Sequence, residues 1–174
     1  MATVPSQRTW TVGELLTAAK LNTDLRDAVN FLLAPPLALL RLSADINIPN
    51  ATLTAINWNT EVIDRDGGHD NSTNPFRYTF QTAGYYEVAT QIAFNTNGTG
   101  LRLVHLYDNN YPLAGNQGTG NSVQLTCISA GRTHFFNVGE YILVQVYQNS
   151  GAPLGIWAQP GGLCQMSARW VSKN

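Results

Sequence analysis

The chain has 174 residues, 44% of them hydrophobic, and a formal net charge of −1, which suits one buried core rather than several domains. Charged residues make up 12% of the chain, against roughly 25% in an ordinary soluble domain. The only lysines are Lys20 and Lys173. No basic stripe is present to neutralise phosphates, so we expect no nucleic-acid partner.

The N-terminal residues MATVPSQRTW do not combine a basic start with an apolar run, and no apolar stretch reaches the ~18 residues of a membrane span. We therefore expect a protein that is made and folded in a cytoplasm, without membrane insertion. Cys127 and Cys164 lie in strand-like contexts without metal-ligand spacing. This pattern favours two buried thiols over a disulfide.

Residues 1–36 carry the only helical periodicity, and a Pro-Pro breaker ends it. Thr11 and Glu14 match a capping box, which predicts a short helical turn, and Thr17 can cap a second helix. The apolar positions of that helix recur at steps of four, three and four: Leu21, Leu25, Ala28 and Leu32. A short helix is marginal alone, so this stripe is expected to pack on the β domain, on copies of itself or on a larger assembly.

Residues 37–174 show short apolar alternations separated by turns such as DGG, NTNGTG and GNQGTGN. This pattern predicts one β domain, a sandwich or a barrel. The predicted strands are 37–42, 52–58, 76–80, 85–94, 101–108, 123–129, 133–136, 141–148 and 166–171. Alternation predicts that two sets of side chains enter the core: Tyr86, Val88, Ile92 and Phe94, and Ile142, Val144 and Val146.

The dipeptide His69-Asp70, with Asp64 and Asp66 upstream, raises the question of a metal or acid-base site. Asp, Gly and Asn in this stretch supply turn geometry and local side-chain to backbone bonds, which favours a structural role. The spacing of a calcium loop and its distant bidentate Glu are absent. We therefore predict no metal and no cofactor, although a cation held by Asp64, Asp66 and Asp70 stays open.

Catalytic patterns are equally sparse. His105 and His134 lie in predicted strands without an assignable nucleophile, and the sequence has no Gly-x-Ser-x-Gly elbow and no phosphate loop. Glu61, Glu87 and Glu140 are scattered over separate elements, unlike the facing acids of a glycosidase. We therefore predict no catalytic residues and do not expect an enzyme.

The order of the strand sequences FRYTF, AGYYEVATQIAF, LRLVHLYD, VGEYILVQVYQNSG and MSARWV resembles the jelly-roll superfamily of tumour necrosis factor and the complement globular heads. The resemblance covers about residues 45 to 172. Gly84 and Tyr86 match a Gly-x-Tyr that opens a long central strand, and Gly139 and Glu140 match a pair that opens a late strand. The resemblance implies a mainly β fold, a jelly-roll sandwich preceded by a short helical segment.

The leading segment TWTVGELLTAAKLNTDLRDAVNFL resembles the N-terminal segments of tail and other virion proteins of double-stranded DNA bacteriophages. The matching pieces are Gly13-Glu14, the run from Thr17 to Asn22, and Leu25-Arg26-Asp27. The resemblance implies a structural phage protein in the virion, docked on other virion proteins through Leu21, Leu25, Ala28 and Leu32. Its alternatives are a capsid-decorating protein, a secreted cytokine-like ligand and a polysaccharide depolymerase.

Two further surfaces are predicted. Alternation in GEYILVQVYQ sends a partly apolar set outward, and in the resembling fold this strand and YYEVATQIAF are taken as neighbours around a three-fold axis. This predicts a homotrimer with the interface Tyr141, Leu143, Gln145, Tyr147, Glu87, Ala89 and Gln91; a monomer covered by residues 1–36 is the alternative. Aromatic rings beside amides also predict loops that bind a host cell-surface glycan, with the residues Asn109, Asn110, Tyr111 and Trp157.

Overall fold

The protein is a two-layer β sandwich with an N-terminal helical segment. The computed structural model describes residues 3–6, 8–109, 111–158 and 163–173. Within these residues the strands form one seven-stranded and one five-stranded antiparallel sheet, here called sheet A and sheet B. The apolar sides of the two sheets face each other and form one core, as sheet-on-sheet packing requires.

The helical segment consists of α1 (Ala18–Leu21), a π-helical turn (Asn22–Arg26) and α2 (Asp27–Leu33). The side chain of Thr17 accepts a hydrogen bond from the Lys20 amide at 3.3 Å, which confirms the predicted cap. The predicted helical turn after Thr11 is wrong. The Thr11 amide does donate to the Glu14 carboxylate at 3.3 Å, but Gly13 has a φ of 79°, and this left-handed conformation interrupts the helix.

Sheet A contains the strands β1 (Leu37–Arg41), β2 (Ile46–Ile48), β4 (Thr60–Asp64), β6 (Gly84–Phe94), β9 (Thr126–Phe136), β11 (Leu154–Ile156) and β12 (Gln165–Ser172). Strand β6 is central, because β9 pairs along one of its edges and β12 along the other. The order continues from β12 to β1 and then to β4. The short strands β11 and β2 extend the sheet at the Phe94 end of β6.

Sheet B contains the strands β3 (Thr54–Ala55), β5 (Arg77–Thr79), β7 (Leu101–Asp108), β8 (Tyr111–Thr119) and β10 (Tyr141–Gln148). Strand β10 pairs with β7, and β7 pairs with β8. Strands β3 and β5 both pair with the other edge of β10. Strands β8 and β9 lie next to each other at one side of the sandwich, where each ends its own sheet.

The long strands were predicted best. The bounds of β7 and β10 agree with the prediction, and β6 differs by one residue. The two strands predicted over 123–129 and 133–136 are one continuous strand, β9. Strands β2, β4, β8 and β11 were not predicted, and the last of them is three residues long.

The core contains both predicted sets of side chains. Every one of Tyr86, Val88, Ile92, Phe94, Ile142, Val144 and Val146 is buried, so the alternation in β6 and β10 is confirmed. An aromatic group fills the end of the sandwich near the start of β6: Phe80 stacks on Phe136 with centroids 3.9 Å apart and lies 4.6 Å from the Tyr86 ring. The prediction of two buried thiols holds for Cys164, whereas Cys127 is exposed on β9.

Arg102 is a charged residue inside the sandwich. Arg102 of β7 is fully buried, and its guanidinium donates to the carbonyl oxygens of Asn97, Thr99 and Leu101 at 2.9 to 3.0 Å. Burial lowers the pKa of this guanidinium. The side chain therefore holds the loop between β6 and β7 by hydrogen bonds to its backbone. Among the helices in the described part of the chain, none is long and apolar enough to cross a membrane.

Candidate interaction surfaces

The predicted docking stripe is largely uncovered in the monomer. The side chains of Leu21, Leu25 and Leu32 are 38%, 54% and 73% exposed, and Ala28 is half-buried. These residues line three successive clefts along the helical segment, with volumes of about 280, 410 and 600 Å³. Among the described residues, the β domain borders this stripe at Ala28 and Leu32, whose cleft also contains Trp170 and Lys173, and it leaves the three leucines exposed.

Other apolar side chains of the N-terminal segment are exposed as well. They are Trp10, Val12, Leu15, Leu16, Val29 and Leu33. Trp10 and Leu16 line the same cleft as Leu21 and Leu25, and an exposed apolar surface usually marks an interaction site. We call these six residues, together with the predicted stripe, the docking surface.

A group of ion pairs shapes this segment. Glu14 receives hydrogen bonds from Arg8 and from the Lys20 ammonium, the latter at 2.8 Å, and Arg8 also reaches Asp24 at 3.1 Å. The Lys20 bond, helped by the Thr11 amide, lowers the pKa of Glu14 to about 2. These contacts tie the extended residues before the helix to the helix itself, and sequence reasoning missed them because their partners are up to 16 residues apart.

The predicted trimer interface is wrong in one respect. Glu87, Ala89 and Gln91 lie on β6 of sheet A, whereas Tyr141, Leu143, Gln145 and Tyr147 lie on β10 of sheet B. Both sets point away from the core, so they face opposite sides of the sandwich. Alternation correctly gave the outward face of each strand, but it carries no information on which strands pair. The two sets therefore cannot line a single axis.

The outer face of sheet A is shallow and lined by small side chains. A cleft of about 330 Å³ lies over β6, β9 and β12 and is lined by Ala89, Gln91, Ser129, Gly131, Gln165 and Ser167, among others. Next to it, Arg169 pairs with Glu87 at 2.6 Å. Tyr85 and Phe135 form an edge-to-face pair further along the same face, with centroids 5.3 Å apart. A flat, mostly uncharged face of this kind permits close approach of another surface.

The outer face of sheet B is covered by its own side chains. Leu143 is only 5% exposed, because Arg77 of β5 and Tyr107 of β7 flank it in register. The Arg77 guanidinium lies over the Tyr141 ring, 4.8 Å from its centroid. The centre of this face, around Leu143, therefore presents little apolar surface to a partner.

The predicted ligand loops do not form one site. Tyr111 is 76% exposed and is the strand partner of Asp108. The Asp108 carboxylate lies 3.2 Å from His134, and His134 pairs with Tyr86 near the start of β6. Trp157 is 39% exposed, and its amide donates to the carbonyl of Ala93, near the end of β6. The two rings are thus separated by about 23 Å of strand, given a rise of ~3.3 Å per residue.

The remaining loop residues have structural positions. Asn109 has a positive φ of 42° and accepts a hydrogen bond from the Tyr141 amide at 3.0 Å. Asn110 lies outside the described residues. The stretch from Gly115 to Thr119, expected to be a loop, belongs to strand β8.

The three aspartates that could hold a cation, according to the sequence, accept hydrogen bonds from different protein groups. Asp64 accepts the amides of Gly67, Gly68 and His69. Asp66 accepts from the Thr82 hydroxyl at 2.6 Å, and Asp70 accepts from Ser72 and Thr73. Within residues 3–6, 8–109, 111–158 and 163–173, no group of three or more His, Cys, Asp or Glu side chains could hold a metal ion.

The histidines are held by the fold. The side chain of His69 is fully buried and contacts Glu61 at 2.9 Å. His105 packs over Gly115, where a Cβ atom would lie 2.2 Å from its ring. His134 pairs with Asp108 at 3.2 Å, and burial raises the pKa of that carboxyl while His134 lowers it.

Comparison with known proteins supports the fold alone. No protein-family model and no curated protein match the chain. Among solved structures, murine APRIL at pH 5.0 is 14% identical, with a TM-score of 0.57, over 77% of this chain and 98% of that chain. Eiger TNF from S. frugiperda is 11% identical, with a TM-score of 0.61, over 80% and 95%. The globular domain of the zebrafish complement 1qA protein is 10% identical, with a TM-score of 0.57, over 80% and 99%.

The chain is therefore mainly β, a jelly-roll sandwich of the type found in tumour necrosis factor and in the complement globular heads, with a short N-terminal helical segment. The fold that the sequence resemblance implied is confirmed. The jelly roll occupies the region after α2, and the docking surface lies before it.

Proposed function

We propose that the chain is a structural protein of a bacteriophage particle, with no enzymatic activity. The N-terminal segment docks on other virion proteins, and the jelly roll is displayed as a homotrimer that contacts the host cell surface. The observation that carries the proposal is the asymmetry of the monomer: the jelly roll buries its own core, while the segment before it exposes an apolar surface.

Docking is supported by composition and geometry together. The docking surface has exposed leucines on both sides of the π-helical turn, such as Leu16 and Leu32, and its ion pairs are satisfied internally through Glu14. A protein partner with an apolar surface fits it better than an anionic one. The resemblance of this segment to the N-terminal segments of phage virion proteins points to the same class of partner.

The homotrimer is supported by the outer face of sheet A. Ala89, Gly131 and Ser167 occupy neighbouring positions on β6, β9 and β12, so a second copy can approach the sheet closely. A cyclic arrangement would cover this face in three equivalent copies. The interface proposed here includes Glu87, Ala89 and Gln91 but not the sheet B residues.

Host contact is the least constrained part of the proposal. Tyr111 presents an exposed ring at one end of the sandwich, and Trp157 presents one at the other. Each ring can stack on the apolar face of a sugar. A single glycan site therefore uses one ring or the other.

The docking proposal is tested with Leu25→Asp in the full chain during particle assembly. A charge buried in an apolar contact without a partner costs several kcal/mol, so we expect the variant to fold and to be absent from purified particles. Asn30→Asp is the matched control, since it adds the same charge at another exposed position of the helical segment. Incorporation of Leu25→Asp at the wild-type copy number would contradict docking through this surface.

Imaging of labelled chain on assembled particles separates the tail from the head. Label at the tail tip supports host contact, and label over the capsid shell supports the decorating role. Label at neither place, with free trimer in solution, would contradict the virion proposal and leave a secreted ligand as the better explanation.

A further inference from the structure

His69 lies between two hydrogen-bond acceptors. Its side chain has no exposed surface, Nδ1 lies 2.9 Å from the Glu61 carboxylate, and Nε2 lies 3.1 Å from the Pro75 carbonyl oxygen. The same carbonyl accepts the Trp58 amide at 2.9 Å. Both ring nitrogens are therefore directed at groups that normally accept.

This geometry determines the number of protons. A neutral imidazole has one N–H and one lone pair. Since both partners accept, a neutral ring that donates from Nε2 directs its lone pair at the Glu61 carboxylate, and one that donates from Nδ1 directs it at the Pro75 carbonyl oxygen. An ionised carboxylate also only accepts. The contacts at 2.9 and 3.1 Å are both hydrogen bonds only if the pair holds a second proton, on the ring or on Glu61.

The surrounding charges favour that proton. Strand β4 contributes Glu61 and also Asp64, whose carboxylate accepts the His69 amide at 2.9 Å. In the loop itself, Asp70 is directed toward Ser72 and Thr73. From strand β5, the Tyr78 ring packs against Gly68, and its hydroxyl is neutral because burial raises the Tyr78 pKa. These four neighbours of His69 are acidic or neutral.

We propose that His69 and Glu61 bind one extra proton in the folded protein, and that this proton latches the loop between β4 and β5 onto strand β4. The latch joins the edge of sheet A to Pro75 and, through the shared carbonyl, to Trp58. Loss of the proton at higher pH leaves a lone pair of the buried ring facing an acceptor, whereas the Glu61 side chain, which is 34% exposed, can turn to solvent. The latch then opens, and the loop separates from the sheet edge.

The direct test is nitrogen NMR of the histidine rings in the full-length protein at pH ~6, near the value where a free histidine titrates. We expect protons on both ring nitrogens of His69, or on Nε2 together with a protonated Glu61 carboxyl. His134, whose side chain is 37% exposed, provides the comparison within the same spectrum. A bare ring nitrogen at His69 beside an ionised Glu61 would overturn the proposal.

The second test uses Glu61→Gln. A glutamine amide can donate to a neutral ring, so the variant keeps the contact without the extra proton. We expect the wild type to show faster amide exchange in residues 65–76 as the pH rises from ~6 to ~9, after correction for intrinsic exchange, and Glu61→Gln to show no such increase. His134→Asn should behave as the wild type. An equal increase in wild type and Glu61→Gln would refute the latch.

Discussion

Phe31 of α2 packs edge-on against Trp170 of β12, with ring centroids 4.8 Å apart and planes at 89°. Trp170 is held in turn by its indole N–H, which donates to the Ala83 carbonyl, and by its amide, which donates to the Pro36 carbonyl. Phe31 is the buried residue of the helical segment. This aromatic pair joins the docking surface to the jelly roll, and Phe31 is not part of the stripe predicted from the sequence.

Replacing Phe31 should release the helical segment. Phe31→Ala removes a buried ring and its edge-to-face contact, and we expect a loss of about 1–3 kcal/mol in the free energy that holds α2 on the sandwich. Hydrogen exchange of the α2 amides measures this loss. Leu33→Ala is the control, since Leu33 is largely exposed. Equal effects of the two changes would show that the Phe31–Trp170 contact does not hold α2 on the sandwich.

An arginine on the outer face of sheet A should dissociate the trimer. Ala89→Arg brings three unpaired positive charges to the proposed interface, where desolvation opposes association. Sedimentation of the full-length chain should show a trimer for wild type and a monomer for the variant.

Gln145→Arg places the same charge on the outer face of sheet B and should leave the trimer intact. A monomeric wild-type protein, or dissociation by Gln145→Arg alone, would count against the interface. Leu143→Arg has a different expected effect: it should destabilise the monomer, because Leu143 is already buried by its neighbours.

The turn after β4 should make the protein sensitive to acid. Asp70 accepts from the Ser72 hydroxyl at 2.6 Å and from the Ser72 and Thr73 amides at 2.7 and 3.1 Å. The Ser72 bonds lower the pKa of Asp70 from 3.8 to about 2. Because the folded state favours the ionised form, this stabilisation is present above the unfolded pKa and disappears as the pH falls through the folded one.

We therefore expect Asp70→Asn to flatten the dependence of unfolding free energy on pH between ~4 and ~2. Ser72→Ala should give an intermediate slope, since it keeps the two backbone donors. The measurement is chemical denaturation at several pH values. Identical slopes for wild type and Asp70→Asn would show that the Asp70 bonds do not contribute.

The two cysteines should differ in reactivity. Burial raises the pKa of the Cys164 thiol to about 11, and its sulfur lies 3.0 Å from the Trp157 carbonyl oxygen, to which the thiol donates. Thiols react as thiolates, so folded Cys127→Ser protein should resist alkylation at pH ~8 and react only in denaturant. Rapid labelling of Cys164 in that folded variant would contradict its burial.

The sequence predicted most where one side of a strand is buried. In β10, Ile142 and Val144 alternate with Leu143, and this period alone predicts both the strand and its inner face. Strand β8 was missed because its GNQGT end has no alternation: it is an edge strand, and its exposed positions include Asn116 and Gln117. Edge strands satisfy half of their backbone groups elsewhere and need no such pattern.

Pairing was the part that the sequence could not supply. Glu87 and Gln145 are both outward in their own strands, but only the hydrogen-bond registers show that β6 pairs with β9 and β12 while β10 pairs with β7. Tyr111 and Trp157 were predicted to belong to the same glycan-binding loops because the sequence does not show that they lie at opposite ends of the sandwich. These relations depend on contacts between residues distant in the chain, which local patterns do not contain.

The π-helical turn at Asn22–Arg26 has a consequence for insertions and deletions in this chain. A π turn carries more residues than an α turn, so the helical segment contains surplus length. Deleting one residue there would convert the π turn into an ordinary α turn, and the helical segment would stay folded. Leu21 and Ala28 would then keep nearly the same direction relative to each other, because the α turn covers almost the same rotation with one residue fewer. The same deletion in a regular α-helix would instead rotate its two halves by about 100° relative to each other.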